Sequence, residues 1–219
     1  MLSLNLISHG QLQITAACKI GHMTALADLD TCCSPGQFVD ELHRQNQQAQ
    51  VLVGNLSDAA LNWQPNGGKA WSIGQCLEHL ATTNTLYEGA MRDAIERNEG
   101  HVLSGSGVYR PAGWPSRKFI QSMEPPPTRK FRAFRKIIPK ASGYRAEEAL
   151  SRFLRAQQRL NEFVFQSREM DLGSIRFRNP FLKGVRLTIS SGLLLIGAHN
   201  RRHLWQAETV RKSAELPGT

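Results

Sequence analysis

Residues 187–210 read LTISSGLLLIGAHNRRHLWQAETV. Gly192, Leu195, Ile196, His199, His203, Gln206 and Val210 recur at helical spacing and share one face. Thr188 is placed to cap the helix, because its hydroxyl can accept from the first free backbone N–H groups. The face is apolar along its first turns and then carries two histidines one turn apart. Residues i and i+4 on a helix present Cβ atoms about 5–6 Å apart, so His199 and His203 can share a ligand. A buried helix with a polar site on its inner face needs partner helices to cover it.

Three other stretches supply them. Ser34-Pro35-Gly36-Gln37 combines a capping serine, proline at the first helical position and glutamine at the third. Phe38, Leu42, Gln45, Ala49, Leu52 and Leu56 then form a stripe. Residues 57–70, with Pro65 and Gly67-Gly68, read as a loop. Ser72-x-x-Gln75 is a second capping box. The helix it opens buries Ile73, Cys76, Leu77, Leu80, Asn84, Tyr87 and Met91, places His79 on or beside that face, and ends near Asn98, before Gly100. A third helix spans about 146–168, with Leu150, Phe153, Leu154, Gln157, Leu160 and Val164 inward. Asn179-Pro180 and Gly184 mark the loop before the last helix. The segment from Gly100 to Tyr144 is rich in glycine and proline and reads as one long irregular crossover. The expected fold is all-α: a four-helix bundle with a long crossover between its second and third helices. No strand pattern competes.

The domain is expected over residues 34–213. Residues 1–33 show no sustained period and read as a loosely ordered N-terminal extension, and Met23 is an alternative start that would leave the domain intact. No basic region followed by an apolar block and a cleavage site opens the chain, and no apolar run approaches the roughly 20 residues of a membrane span. A cytoplasmic location with no membrane partner is the expectation. Cys18, Cys32, Cys33 and Cys76 contain no C-x-x-C pair and do not form a disulfide framework, so they are expected to stay reduced.

The formal charge of +9 is not spread evenly. Between Arg110 and Arg145 there are ten basic residues and one acid, Glu124, while the remainder holds 17 of each sign. The positive charge therefore belongs to the crossover and not to the bundle.

Two imidazoles rarely hold a metal alone, and His79, in the amphipathic segment WSIGQCLEHL, is the best third ligand. Three neutral histidines facing inward from two helices suit Zn²⁺, Ni²⁺, Cu²⁺ or Fe²⁺ and leave a coordination position for water or substrate. The plainer reading of any one of them is a hydrogen-bonded core residue. Arg201 and Arg202 lie between His199 and His203, which predicts that part of this turn faces water. Cys76 can face the same cavity, although a small buried apolar residue is its simpler role. Glu78 points about 100° away from His79 and reads as a surface or supporting group. Gln75 and Gln206 can line the same end of the bundle. His9, His22, His43 and His101 read as exposed.

Trp71-Ser72-Ile73-Gly74-Gln75-Cys76-Leu77-Glu78-His79-Leu80 resembles the tryptophan-to-histidine signature of the DinB-like (DinB/YfiT) metalloenzymes, a group distinct from the DNA polymerase that shares the name. Gly197-Ala198-His199-Asn200-Arg201-Arg202-His203-Leu204-Trp205-Gln206 is similar to the H-x-x-x-H-x-x-q signature of the same family, and Asn179-Pro180-Phe181 to Thr188 resembles its run into the last helix. The resemblance covers about residues 34–213. It implies a four-helix bundle with a divalent metal on His79, His199 and His203. It further implies activities of the kind found in its characterised branches, thiol S-transferases and a thiol-dependent isomerase, which use low-molecular-weight thiols. Members are often dimers, so a homodimer is expected. The long basic crossover and the N-terminal extension depart from the simplest members.

Arg129-Lys130-Phe131-Arg132-Ala133-Phe134-Arg135-Lys136 interleaves cations with aromatics. The bland reading is a solvated loop docked on the bundle. The functional one is recognition of an anionic small molecule by arginine. Nucleic acid is disfavoured, because no groove-reading element accompanies the patch. The functional expectation is a divalent-metal-dependent enzyme, of thiol S-transferase type or hydrolase type, acting on a small-molecule substrate. The alternative is a non-enzymatic helical module that binds an anionic partner, a small acid or nucleic acid, through residues 110–145. No nucleophilic triad, P-loop or dinucleotide fingerprint offers a competing mechanism, and no general base is assigned.

Overall fold

The computed structural model describes residues 33–97, 104–105, 107–127, 132–139, 142–213 and 215–217. All but the last residue of the expected N-terminal extension lies outside them, as do His9, His22, His101, Cys18 and Cys32. Helix α1 (Pro35–Val53) opens on a complete capping box, with the Ser34 hydroxyl accepting from the Gln37 N–H and the Gln37 side chain accepting from the Ser34 N–H. The stretch expected as a loop holds two short turns of helix, α2 (Asp58–Asn62), capped by Ser57, and α3 (Pro65–Gly68), where Asn66 and Gly67 have positive φ and break the helix. Helix α4 (Ile73–Glu96) begins on the second capping box, at Ser72 and Gln75. Helix α6 (Ala146–Gln166) and helix α7 (Ile189–Arg211), the latter capped by Thr188, complete the bundle.

Two elements depart from the expected irregular crossover. Residues Gly113–Gln121 form helix α5, and Arg135–Ile137 form a 3₁₀ turn. Both are short, and each is stabilised by what it packs on, α5 on α7 and the turn on α4. The loop before α7 also contains a hairpin, β1 (Arg176–Arg178) antiparallel to β2 (Arg186–Thr188). Three residues per strand are too few to show a period, which is why the sequence pattern misses them. Gly192 allows the hairpin to dock: a Cβ there would lie 2.7 Å from the Phe177 ring.

The long helices α1, α6, α4 and α7 form a ring in which each packs on the next. The apolar core falls into two parts. One gathers Phe38, Leu42, Tyr87, Met91, Leu160, Phe163 and Leu193; the other gathers Ala49, Leu52, Leu77, Leu80, Phe153, Leu204 and Ala207. Between them lies one amide from each helix: Gln45, Asn84, Gln157 and Asn200. Asn200 donates to Gln45 at 2.9 Å and to Gln157 at 3.1 Å, and Asn84 donates to Gln157 at 3.2 Å. The order of these layers gives the direction of each helix. α1 and α7 run from the first cluster to the second, and α4 and α6 run the other way. Neighbours α4 and α6 are therefore parallel, so the chain must travel back along the bundle to join them. A 24-residue helix is about 36 Å long, which accounts for the long crossover.

Candidate functional site

His79 sits two turns into α4, and its ring is buried. His199 and His203 sit one turn apart on α7 and stay partly exposed. The antiparallel packing of α4 on α7 brings all three together. Their ring centroids are 4.6–5.0 Å apart, and one ligand nitrogen from each lies within 4.8 Å of the others. His79 Nε2 and His199 Nε2 are 3.2 Å apart. Two nitrogens bound to one tetrahedral zinc at about 2.0–2.1 Å would be about 3.3–3.4 Å apart. The pair thus already has the spacing of a chelate, and the third nitrogen lies within 4.8 Å of the others.

Two neighbours set which nitrogen points inward. His79 Nδ1–H donates to the Ile137 carbonyl at 2.7 Å, and His203 Nδ1–H donates to the Gln206 side-chain oxygen at 3.0 Å. Each bond leaves Nε2 as a bare lone pair, the tautomer a metal requires. With the His79 Nε2 bare, the close Nε2 pair is held by a proton on His199. His199 Nδ1 is buried with no hydrogen-bond partner among the described residues. A cation would replace that shared proton. The donor set therefore fits a divalent ion.

The electrostatics agree. Burial is the largest cause holding each ring below its ordinary value, partly opposed at His79 by the bond to Ile137. His203 is pushed down to about 3 by burial, His79 and Arg202, and His199 falls well below its usual value by burial, His203, His79 and Arg202. All three are neutral at pH 7 and able to ligate. Trp71 walls the cluster, its ring 4.8 Å from His79 and stacked 5.5 Å from His203. The Ser72 capping box, directly after Trp71, holds that wall in place.

Arg201 and Arg202 correct the expectation of a water-facing turn: both are buried. The crossover covers the outer side of α7, so Arg201 needs carboxylates in place of water. It donates to Glu41 at 2.6 Å and grips Glu124 through two nitrogens, Nε at 2.9 Å and Nη2. Arg202 donates to the Ser122 carbonyl at 3.1 Å. The only acid of the basic segment is thus turned inward as an anchor.

The remaining candidates lie outside the cluster. Cys76 sits in the second apolar cluster, where burial pushes its thiol far up and disfavours a thiolate. Glu78 pairs with Arg152 at 2.9 Å. Gln75 is occupied by its cap and by Gln64. His43 is exposed, as expected. Cys33 and Cys76 are free thiols. Of the groups around the cluster, the spacing of Gln206 three residues after His203 is legible in the sequence. The Ile137 carbonyl is not, because any residue type supplies one.

The sequence profile of the DinB superfamily matches residues 41–207. The chain belongs to the DinB superfamily. The matched span covers α1 from its second turn to most of α7, and so includes all three histidines of this DinB protein. No curated protein and no solved structure matches it. No helix of the described residues is long and apolar enough to cross a membrane.

Proposed function

We propose that this DinB protein is a divalent-metal-dependent enzyme whose ion is held by His79, His199 and His203. The observation that carries the reading is the set of three neutral imidazoles with ligand nitrogens within 4.8 Å, two of them oriented by hydrogen bonds on the far nitrogen. Ligand chemistry suits zinc, nickel or iron. When bound, such an ion lowers the pKa of a thiol or water at its open position. The chain's own groups do the rest. Ile137 and Gln206 hold the ring orientation, Trp71 excludes water from one side, and the partial exposure of His199 and His203 leaves the approach for a small substrate. The activity is a thiol S-transfer with a low-molecular-weight thiol as co-substrate, or a hydrolysis, in a cytoplasmic protein that forms a homodimer. No side chain is assigned as a general base.

The test is a screen of metal-loaded protein for conjugation of small thiols to electrophiles and for hydrolysis of activated esters and amides. Activity present in the loaded wild type and absent from His203→Ala supports the reading. Activity equal in both rejects it. The second reading, a non-enzymatic module binding an anionic partner through residues 110–145, draws on the inward turn of Glu124, which leaves the outer side of that segment cationic.

A further inference from the structure

The β1–β2 hairpin carries an arrangement that does not help it fold. Its register sets Phe177 opposite Leu187, both turned toward the core, and Arg178 directly opposite Arg186 on the outer face. Arg176, two residues before Arg178, is exposed on that same face. Directly opposed residues hold their Cβ atoms about 4.5–5.5 Å apart, and like charges there destabilise the pair. Among the described residues no ion pair relieves it. The sequence has no acidic residue from Leu172 to Ala207. The surroundings add charge of the same sign. Exposed Lys183 lies in the hairpin turn. The Phe134 ring stacks on Phe181 at 6.1 Å, which brings exposed Arg132, Arg135 and Lys136 to the hairpin's loop.

We infer that Arg176, Arg178 and Arg186 form a binding site for a phosphoryl group, separate from the histidine cluster. Guanidinium forks match phosphate oxygens bidentately, and two opposed arginines with a third at i−2 can engage one phosphate from adjacent sides. A phosphate dianion between Arg178 and Arg186 converts their repulsion into two charge-assisted contacts. The hairpin's rigid docking through Phe177 keeps the donors in place without ligand. The phosphoryl group belongs to a soluble phosphorylated molecule or to a lipid headgroup.

The test uses full-length, metal-replete protein. Inorganic pyrophosphate is titrated by calorimetry at physiological salt into the wild type and into R178Q/R186Q. Saturable binding in the wild type, weakened at least tenfold in the variant with metal content unchanged, is expected. In a second arm, flotation with vesicles containing phosphatidic acid, compared with phosphatidylcholine alone, separates the sources. Flotation that depends on both arginines assigns the headgroup, and pyrophosphate binding without flotation assigns a soluble ligand. The thermal midpoint of R178Q/R186Q without anion is expected to rise, because the like-charge pair is gone, and the same measurement shows that the variant is folded. Absence of saturable binding in both arms, binding retained by the variant, or a lowered midpoint overturns the proposal.

Discussion

The carbonyl oxygen of Ile137 accepts a hydrogen bond from His79 Nδ1 at 2.7 Å, so a residue of the crossover determines which nitrogen of a buried helical histidine faces the cluster. The crossover is therefore part of the site, and its attachment to the bundle becomes a property of the site. That attachment runs through Arg201. Its guanidinium joins Glu41 of α1 to Glu124 of the crossover inside a largely buried environment.

Glu124→Gln is expected to cost about 2–3 kcal/mol of stability, because it removes a charge-assisted pair from a buried arginine while Glu41 keeps it partly compensated. Lys118→Gln, an exposed basic position of the same segment, is expected to stay within about 0.5 kcal/mol. Urea unfolding of the two variants checks this. Equal midpoints would show that Glu124 does not anchor the crossover.

Gln206→Leu removes the acceptor that orients His203 and leaves its Nδ1–H without that partner. Loss of such an outer hydrogen bond typically weakens metal affinity about 10–100-fold. Competition against a chromophoric chelator reads the change, and circular dichroism is expected to match the wild type. An unchanged affinity would remove Gln206 from the site.

Gln157→Leu breaks the amide layer at its most connected member, leaving Asn84 and Asn200 donors without an acceptor on α6. Each buried unsatisfied polar group costs about 1–3 kcal/mol, so a loss of about 2–4 kcal/mol is expected in chemical denaturation. A variant as stable as the wild type would mean that the layer is dispensable.

The three rings titrate below their ordinary value in the folded protein. In the unfolded chain they bind protons near pH 6.5. Between those values the unfolded state holds more protons, so stability of the metal-free protein is fully present above about pH 6.5. It falls as the pH drops toward about 3, where folded His203 titrates. The slope is at most about 1.4 kcal/mol per pH unit for each ring. Urea midpoints at about pH 7.5 and pH 5 test this, and His203→Gln is expected to show a smaller drop between them.

Much of this was legible in the chain. Ser34 and Ser72 declare their helices because capping is a local interaction within four residues. His199 and His203 declare a shared face by spacing alone, and Gln45, Asn84 and Gln157 fall on the inner stripes. What the sequence did not show is what comes from distant chain. Arg201 reads as a water-facing residue until the crossover covers α7 and supplies Glu124. The Ile137 carbonyl carries no residue signature. The Arg178–Arg186 opposition exists only once the hairpin register is known.

On the proposed function, His79, His199 and His203 together hold one divalent ion. The most direct measurement is elemental analysis of untagged protein from metal-replete cultures, beside His199→Ala prepared in the same way. About one transition-metal ion per chain is expected in the wild type, and its loss in the variant, with the helical fold retained. Metal absent from the wild type, or present in equal amount in the variant, would exclude a shared ion at these three rings.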